Sequence, residues 1–124
     1  MAWDVDSSFI EDWLNQQDQQ LIVKIQAVLD VLGERGPNLG RPLVDRIKGS
    51  RIHNLKELRI PFGQEKVIRI LFVFDGQRKA VLLVAGDKAS GGNRRFIWSG
   101  WYRKSIALAE RRYTLYIEKK RERK

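Results

Sequence analysis

The segment KVIRILFVF, residues 66–74, is an almost unbroken run of Val, Ile, Leu and Phe. A run of this length is too short to span a membrane and is typical of a central β-strand that is covered on both faces. Two similar runs flank it, LKELRI at residues 55–60 and KAVLLVAG at residues 79–86. The connectors between the runs are short and contain glycine, which favours hairpins. The sequence therefore predicts an antiparallel meander of three strands.

The N-terminal part of the chain has helical periodicity. Residues 7–34 carry apolar residues three and four positions apart, and we expect two antiparallel helices there. Ser7 and Ser8 are both candidate N-caps of the first helix, and Glu11, three residues after Ser8, predicts a capping box there. Asp18 is predicted to cap the second helix. Residues 2–6 alternate between apolar and acidic and are predicted to form a short edge strand.

Turn-forming and basic residues lie between and beyond these elements. Residues 37–54 are predicted to form a loop with at most one short strand near residues 43–47, and residues 87–100 a Gly-rich basic loop. A last helix is expected from about Ser105, followed by a charged tail, residues 118–124, that frays. Helices before and after an antiparallel sheet predict an α+β fold.

Length and composition limit the possible functions. The chain has 124 residues, the usual length of one domain, and we expect residues 1–124 to form a single domain. The absence of Cys excludes disulfides, thiolate zinc sites and cysteine nucleophiles, and a single His excludes paired-histidine metal motifs. No metal-ligand pattern, phosphate-binding loop or dinucleotide fingerprint occurs, so we expect no cofactor. Without a signal peptide or membrane span, we expect a cytoplasmic protein with no membrane partner.

The net charge of +9 is distributed unevenly. Residues 1–34 have a net charge of −6, whereas residues 35–124 have a net charge of +15. A field this uneven favours a polyanionic partner for the basic part. The alternative is solvated charge that only keeps the chain soluble, and charge alone does not separate nucleic acid from acidic protein or anionic lipid.

Arg69 interrupts the most apolar strand, on the face that carries Leu71 and Val73. Burying a guanidinium costs several kcal/mol unless it is paired or reaches water, so Arg69 either pairs with Glu57 or binds an anion on the floor of a cleft. Arg59 lies one strand away, on the face of Glu57, so the two arginines can meet across the sheet. Together they are predicted to clamp a phosphate group.

Other cations and aromatic rings extend this candidate site. Lys88 follows the third strand and is either a third positive charge at the site or a solvated loop residue. Tyr102 and its neighbour Trp101 either approach single-stranded RNA, which binds aromatic rings interleaved with cations, or pack the last helix onto the sheet. His53 is a candidate acid or base, or a surface residue. The candidate RNA-binding residues are Arg51, Lys56, Arg94, Arg95, Trp101, Arg103 and Lys104.

Four segments together resemble a known family. They are KELR at residues 56–59, RILFVFD at 69–75, GDK at 86–88 and WYRKSIALAERRY at 101–113. With these motifs the chain resembles the RelE/ParE superfamily of type II toxins over about residues 3–116, and most closely its HigB-like, phage-derived branch. The resemblance implies a helical hairpin packed on a small, twisted, mostly antiparallel sheet, with a C-terminal helix.

The resemblance also implies an activity and its partners. HigB- and RelE-like toxins are ribosome-dependent mRNA endonucleases. A cognate antitoxin binds and neutralises each toxin, and through its helix-turn-helix domain, where it has one, the toxin–antitoxin complex contacts DNA. By position, Arg59, Arg69 and Lys88 match basic residues of the family's site, and Tyr102 matches an aromatic residue near it. The expected reaction is metal-independent cleavage by the ribose 2′-OH, with Lys88 or His53 as the base. The alternatives are a ParE-like inhibitor of DNA gyrase and a non-catalytic relative that binds RNA or antitoxin.

Overall fold

A mixed β-sheet forms the middle layer of the protein. The computed structural model describes residues 2–64, 66–87 and 94–122, and for residues 94–99 only the backbone. The strands, in chain order, are β1 (Asp4–Asp6), β2 (Val44–Arg46), β3 (Lys56–Phe62), β4 (Lys66–Phe74) and β5 (Lys79–Asp87). They are arranged in the order β1-β5-β4-β3-β2.

Strand pairing confirms most of the predicted sheet. β2, β3, β4 and β5 pair antiparallel with their neighbours, so the three apolar runs form the predicted meander. β1 is the predicted short edge strand, and it pairs in parallel with β5. β2 is the short strand expected in the loop before β3. The sheet is therefore mostly antiparallel, as the sequence predicted.

The central strand β4 is buried on both faces. Ile68, Ile70 and Phe72 are fully buried in one apolar cluster, and Leu71 and Val73 belong to a second cluster on the opposite face. Each such side chain contributes about 1.5–3 kcal/mol to folding through burial. The continuous apolar run therefore has the two-sided environment that the sequence predicted.

The N-terminal helices cover the first of these clusters. A 3-10 helix at Ser8–Ile10 leads into the short helix α1 (Glu11–Asn15), and a longer helix, α2 (Gln19–Arg35), follows. Asp18 caps α2 as predicted, since its Oδ1 accepts from the Leu21 N–H at 2.9 Å. The first arm of the predicted hairpin consists of the 3-10 helix and α1, which together span residues 8–15.

The predicted capping box at Ser8 is wrong. The Ser8 N–H and hydroxyl both donate to the Asp6 carboxylate, and no side-chain cap bond forms at the start of the 3-10 helix or of α1. Asp6 lies two residues before Ser8 and competes for it through a local Asx-type contact. The serine that the sequence assigned to capping is therefore used in a turn.

The last helix, α3 (Arg94–Glu122), covers the second apolar cluster and is longer than predicted. It begins eleven residues before the expected Ser105, so the prediction of a loop up to Gly100 is wrong, and residues 88–93 of that loop lie outside the described residues. Local Gly and Ser residues favour a loop here, but tertiary packing outweighs that preference. Trp101 and Tyr102 pack on the second apolar cluster, and Ser105 is buried. The tail is helical as far as Glu122, because Lys120 bonds to Asp75 at 3.3 Å.

A β-bulge in β5 fixes which residues face α3. Leu71 pairs with Val84 and Phe72 pairs with Leu82, so Leu83 is the additional residue. The Leu83 carbonyl accepts a hydrogen bond from Arg112 Nη1 of α3 at 2.6 Å. After the bulge, side chains continue to alternate along β5, and Gly86 faces Trp101 of α3.

Candidate functional site

Glu57, Arg59 and Arg69 lie on one face of the central sheet. In the register of β3 with β4, Arg59 is directly opposite Arg69, and Glu57 is opposite Leu71. Because side chains alternate along a strand, all three project to the side of the sheet that α3 covers. The two arginines therefore meet across neighbouring strands, as the sequence predicted.

A buried carboxylate joins these cations. Arg59 donates from Nε to Glu57 Oε1 at 2.6 Å, and Arg69 donates from Nη1 to the same oxygen at 3.0 Å. The Tyr102 hydroxyl, on α3, donates to Glu57 Oε2. Arg69 Nη1 also donates to the Tyr102 oxygen. We call Glu57, Arg59, Arg69 and Tyr102 the Glu57 cluster.

The members of the Glu57 cluster differ in how much solvent reaches them. The side chain of Glu57 is 1% exposed, that of Arg69 is 17% exposed and that of Arg59 is 40% exposed. Of the two alternatives for Arg69, the structure shows the pair with Glu57. Such pairing offsets the cost of removing these charges from water. Arg59 is therefore the cation of the cluster that a ligand reaches most easily.

Asp45 on β2 is a second carboxylate beside Arg59. Its Oδ2 lies 3.5 Å from Arg59 Nη2, and its side chain is 22% exposed. The hydrogen bond from the Arg46 N–H holds the pKa of Asp45 below its usual value despite partial burial, so it is ionised at neutral pH. A phosphate group that approaches Arg59 therefore competes with Asp45 for this guanidinium.

Tyr102 is a hydrogen-bond donor in this cluster. Burial raises the pKa of its phenol, and the hydrogen bond to Glu57 raises it further. The same carboxylate raises the pKa of Arg59 by accepting its hydrogen bond. At neutral pH the phenol therefore keeps its proton and donates, and it is a poor general base.

Trp101 has a packing role next to the cluster. Its indole lies on Gly86 of β5, and a Cβ added to Gly86 would come within 2.4 Å of the indole nitrogen. The Trp101 ring also meets the Tyr102 ring edge to face, with centroids 5.1 Å apart. These contacts place Tyr102 against β3 and β4, so both aromatic residues pack α3 onto the sheet and Tyr102 in addition bonds to the cluster.

The other predicted site residues are spread over the surface. Arg51 is exposed and pairs with Glu110 of α3 at 3.4 Å, and His53 lies on an exposed turn before β3. Lys56 alternates with Glu57 and so lies on the opposite face of the sheet from the cluster. The structure does not bring these residues together with the Glu57 cluster.

Several predicted residues lie further along the chain. Arg103 and Lys104 are exposed on α3 directly after Tyr102. Lys88 lies outside the described residues, and so do the side chains of Arg94 and Arg95. Their proposed contacts with RNA stay predictions.

Glu57 has a larger role in the site than the sequence predicts. The sequence predicts it only as a partner for Arg69, whereas the structure shows that it joins two arginines and a tyrosine. The sequence does contain a signal for this role. Glu57 is the one acidic residue in the predicted strand at residues 55–60, and it lies on the same face as Arg59.

Among the described residues no group of three or more His, Cys, Asp or Glu could hold a metal ion.

The chain matches a known family over most of its length. Residues 12–114 match the model of a family described as phage derived protein Gp49-like. The chain belongs to this Gp49-like family. The matched region includes the whole Glu57 cluster, and it confirms the phage-derived family that the motifs predicted.

The Gp49-like chain is also similar to HigB2 and HigB3 of Mycobacterium tuberculosis (strain ATCC 25618 / H37Rv), whose names describe them as toxin candidates. It is 43% identical to HigB3 over 103 residues, which is 83% of this chain and 82% of HigB3. It is 38% identical to HigB2 over 117 residues, which is 94% of this chain but only 55% of HigB2. The chain therefore spans about half the length of HigB2. No solved structure matches the Gp49-like chain.

No helix in the described parts of the Gp49-like chain is long and apolar enough to cross a membrane.

Proposed function

We propose that this protein is the toxin of a type II toxin–antitoxin system and an endoribonuclease that cleaves mRNA on the ribosome. The observation that supports this most is the Glu57 cluster, in which two arginines from neighbouring strands are held side by side. The similarity to HigB2 and HigB3 supports the toxin role. The basic part of the chain, with a net charge of +15, suits a nucleic-acid substrate.

The proposed reaction is attack by a ribose on its own phosphodiester. The 2′-oxygen forms a bond to phosphorus while its proton passes to a base, and the bond from phosphorus to the 5′-oxygen breaks. The leaving oxygen takes up a proton, and the products are a 2′,3′-cyclic phosphate and a 5′-OH. In this reaction negative charge builds up on the phosphate oxygens, where a fixed cation lowers the barrier.

Arg59 is the residue that we assign to the phosphate. It is the most exposed cation of the Glu57 cluster, and its Nε is fixed by Glu57 while its Nη2 lies 3.5 Å from Asp45 Oδ2. Arg69 and Tyr102 then act mainly as positioning residues, because both are bonded to Glu57. Glu57, with a side chain only 1% exposed, orients these groups and does not reach the ribose.

The general base of the reaction is not part of the Glu57 cluster. Within the described residues no exposed base lies in the Glu57 cluster, so Lys88 and His53 stay the candidates. A site with strong cations and no positioned base needs its substrate oriented from outside, which is consistent with cleavage on the ribosome. From the similarity to HigB2 and HigB3 we infer that a cognate antitoxin holds the protein inactive in the cytoplasm. We propose that this antitoxin has a helix-turn-helix domain and supplies any contact with DNA.

The test is induction of the protein in bacteria without an antitoxin, with mapping of new 5′ ends on cellular mRNA. We expect growth arrest and cuts within translated codons for the wild type, and at least a tenfold loss of cuts for Arg59→Ala. Lys24→Ala, an exposed cation on α2, is the matched control and should cut like the wild type. A DNA damage response without mRNA cuts would instead identify a gyrase inhibitor, and neither effect would identify a non-catalytic protein.

A further inference from the structure

A groove of about 670 Å³ lies at the end of α3 that is distant from the Glu57 cluster. Its walls are formed by the last turns of α3, the start of β5 and the 3-10 helix that follows β1. The residues that matter for its chemistry are Asp6, Phe9, Lys79, Tyr116, Lys119 and Arg121. Nothing in the proposed reaction uses this groove.

The α3 wall of the groove is held in place by a buried carboxylate. Asp75, in the turn between β4 and β5, has a side chain that is only 4% exposed. It accepts hydrogen bonds from the Tyr116 hydroxyl and from Lys120 Nζ, and its other oxygen accepts from the backbone N–H groups of Gln77 and Lys79. The basic end of α3 is therefore fixed against the sheet, and the groove has a defined shape.

The groove has an excess of positive charge. Lys79, Lys119 and Arg121 form no ion pair with any residue that the structure describes, whereas the Asp6 carboxylate already accepts two hydrogen bonds from Ser8. Acidic residues of β1 and α1 border Lys79 on its other side. An anion is therefore favoured on the α3 side of the groove and repelled from the β1 side.

The aromatic rings in the groove, those of Phe9 and Tyr116, are half-buried. Tyr113 stacks on Tyr116 with centroids 6.5 Å apart, and Lys120 lies 5.4 Å from the centroid of the same ring. The guanidinium of Arg112 lies 5.9 Å from the centroid of Phe9. Each ring already has a cation beside it, and the remaining cations of the groove suit phosphate groups.

The groove and the Glu57 cluster lie on the same side of the sheet. Tyr102 and Tyr116 are both on α3, fourteen residues apart, and at about 1.5 Å per residue their positions are about 21 Å apart along the helix. Lys79 and Gly86 are at opposite ends of β5, which gives a separation of about 23 Å at 3.3 Å per residue. One nucleic-acid strand can therefore reach both places.

We propose that this groove is a second phosphate-binding site, which holds the backbone of a nucleic-acid strand without reading its sequence. Lys79, Lys119 and Arg121 contact the phosphates, and Asp75 positions the last turns of α3. The binding of phosphates does not depend on the proposed cleavage reaction, and only the assignment of the strand as RNA rests on the proposed function.

The experiment measures binding of a labelled oligonucleotide of about 20 nucleotides with every 2′-OH methylated, so that binding is observed whether or not the protein cleaves RNA. We expect Lys119→Glu/Arg121→Glu to weaken binding at least tenfold and to lower the slope of log affinity against log salt by about 1.4. The control is Lys24→Glu/Arg35→Glu, which changes the net charge of the protein by the same amount but on α2. It should weaken binding less than threefold. Circular dichroism of each variant confirms folding.

Three results would overturn the proposal. Equal weakening by both double variants would mean that only the total charge matters. Unchanged binding in Lys119→Glu/Arg121→Glu would mean that phosphates do not enter the groove. Binding of polyglutamate in place of the oligonucleotide would identify an acidic protein as the ligand. Comparing the affinity for a DNA oligonucleotide of the same sequence shows whether the groove prefers RNA or DNA. Normal oligonucleotide binding without mRNA cleavage would contradict only the proposed function.

Discussion

At the scale of single residues, Glu57 explains how two arginines can occupy the interior face of an apolar sheet. Each guanidinium alone would cost several kcal/mol to bury, and a carboxylate between them replaces part of the lost hydration. Glu57 accepts from Arg59, Arg69 and Tyr102 with both of its oxygens. The arginine pair was predictable from strand alternation, but the central place of Glu57 was not, because the rotamers of long side chains are set by tertiary packing.

Glu57→Ala is predicted to be strongly destabilising. The substitution removes the buried carboxylate that Arg59 and Arg69 share and leaves the more exposed Asp45 beside Arg59. Removing one partner of a buried pair in this way costs about 3–5 kcal/mol. Urea unfolding of purified protein measures the loss. Asp30→Ala removes an exposed carboxylate that only accepts from Gln26, and it should change the free energy of unfolding by less than about 0.5 kcal/mol. A similar small effect at Glu57 would contradict the role assigned to it.

Asp45→Asn is predicted to strengthen RNA binding. Asp45 competes with phosphate for Arg59, so its neutralisation should raise the affinity for a methylated oligonucleotide roughly two- to fivefold, the range of a partly exposed ion pair. The gain should disappear when Arg59 is also replaced by alanine. A gain of the same size in that double variant would show that Asp45 acts through general charge and not through Arg59.

The raised pKa of Tyr102 predicts a change of stability at high pH. A phenol whose pKa is higher in the folded state stabilises the fold fully below its ordinary pKa of 10.0 and loses this contribution as pH rises above it. Unfolding free energies of the wild type and Tyr102→Phe, measured from pH 8 to pH 11.5, should therefore converge above pH 10. Parallel curves over the whole range would exclude the proposed protonated phenol at Glu57.

At the scale of elements, α3 is attached to the sheet at two places. Near its start Trp101 packs on Gly86 and Tyr102 bonds to Glu57, and near its end Tyr116 and Lys120 bond to Asp75. Local composition predicted a helix only from Ser105, because the preceding Gly and Ser residues are loop-forming by themselves. The packing that extends the helix involves β5 and β3, which are distant in sequence.

Gly86→Ala tests the first of these attachments. A Cβ at this position would come within 2.4 Å of the Trp101 nitrogen, so α3 must shift, and we expect a loss of about 1–3 kcal/mol. Gly76→Ala is the matched control, since no heavy atom lies within 4 Å of its added Cβ. Thermal unfolding measures both, and Trp101→Leu should restore part of the loss in Gly86→Ala. Equal melting of both glycine variants would contradict the close packing described.

The strands were easier to predict than the ends of the helices. The periods and turn residues of the meander are local signals, and β3, β4 and β5 begin and end within one or two residues of the predicted runs. The predicted cap at Ser8 failed because Asp6 competes for the same donors. Such choices between two nearby acceptors depend on small energy differences that a sequence pattern does not contain.

At the scale of the whole molecule, the sheet separates two helical layers of different charge. The helix α3 has nine basic and three acidic residues, whereas α1 and α2 together have two basic and four acidic residues. The Glu57 cluster and the basic groove both lie on the α3 side. The positive charge of the sequence is thus concentrated on α3, while acidic residues of β1 and α1 lie near one edge of the α3 side. We expect RNA to approach along α3.

The central claim is that this chain cleaves mRNA with Arg59 on the phosphate. The most direct measurement combines purified protein, purified ribosomes and one defined mRNA, followed by analysis of the new ends. We predict cuts with 5′-OH and 2′,3′-cyclic phosphate ends only when ribosomes are present, and at least a tenfold slower reaction with Arg59→Ala than with the wild type or Lys24→Ala. Cleavage by Arg59→Ala at the rate of the wild type, or no cleavage by the wild type under any of these conditions, would contradict the account.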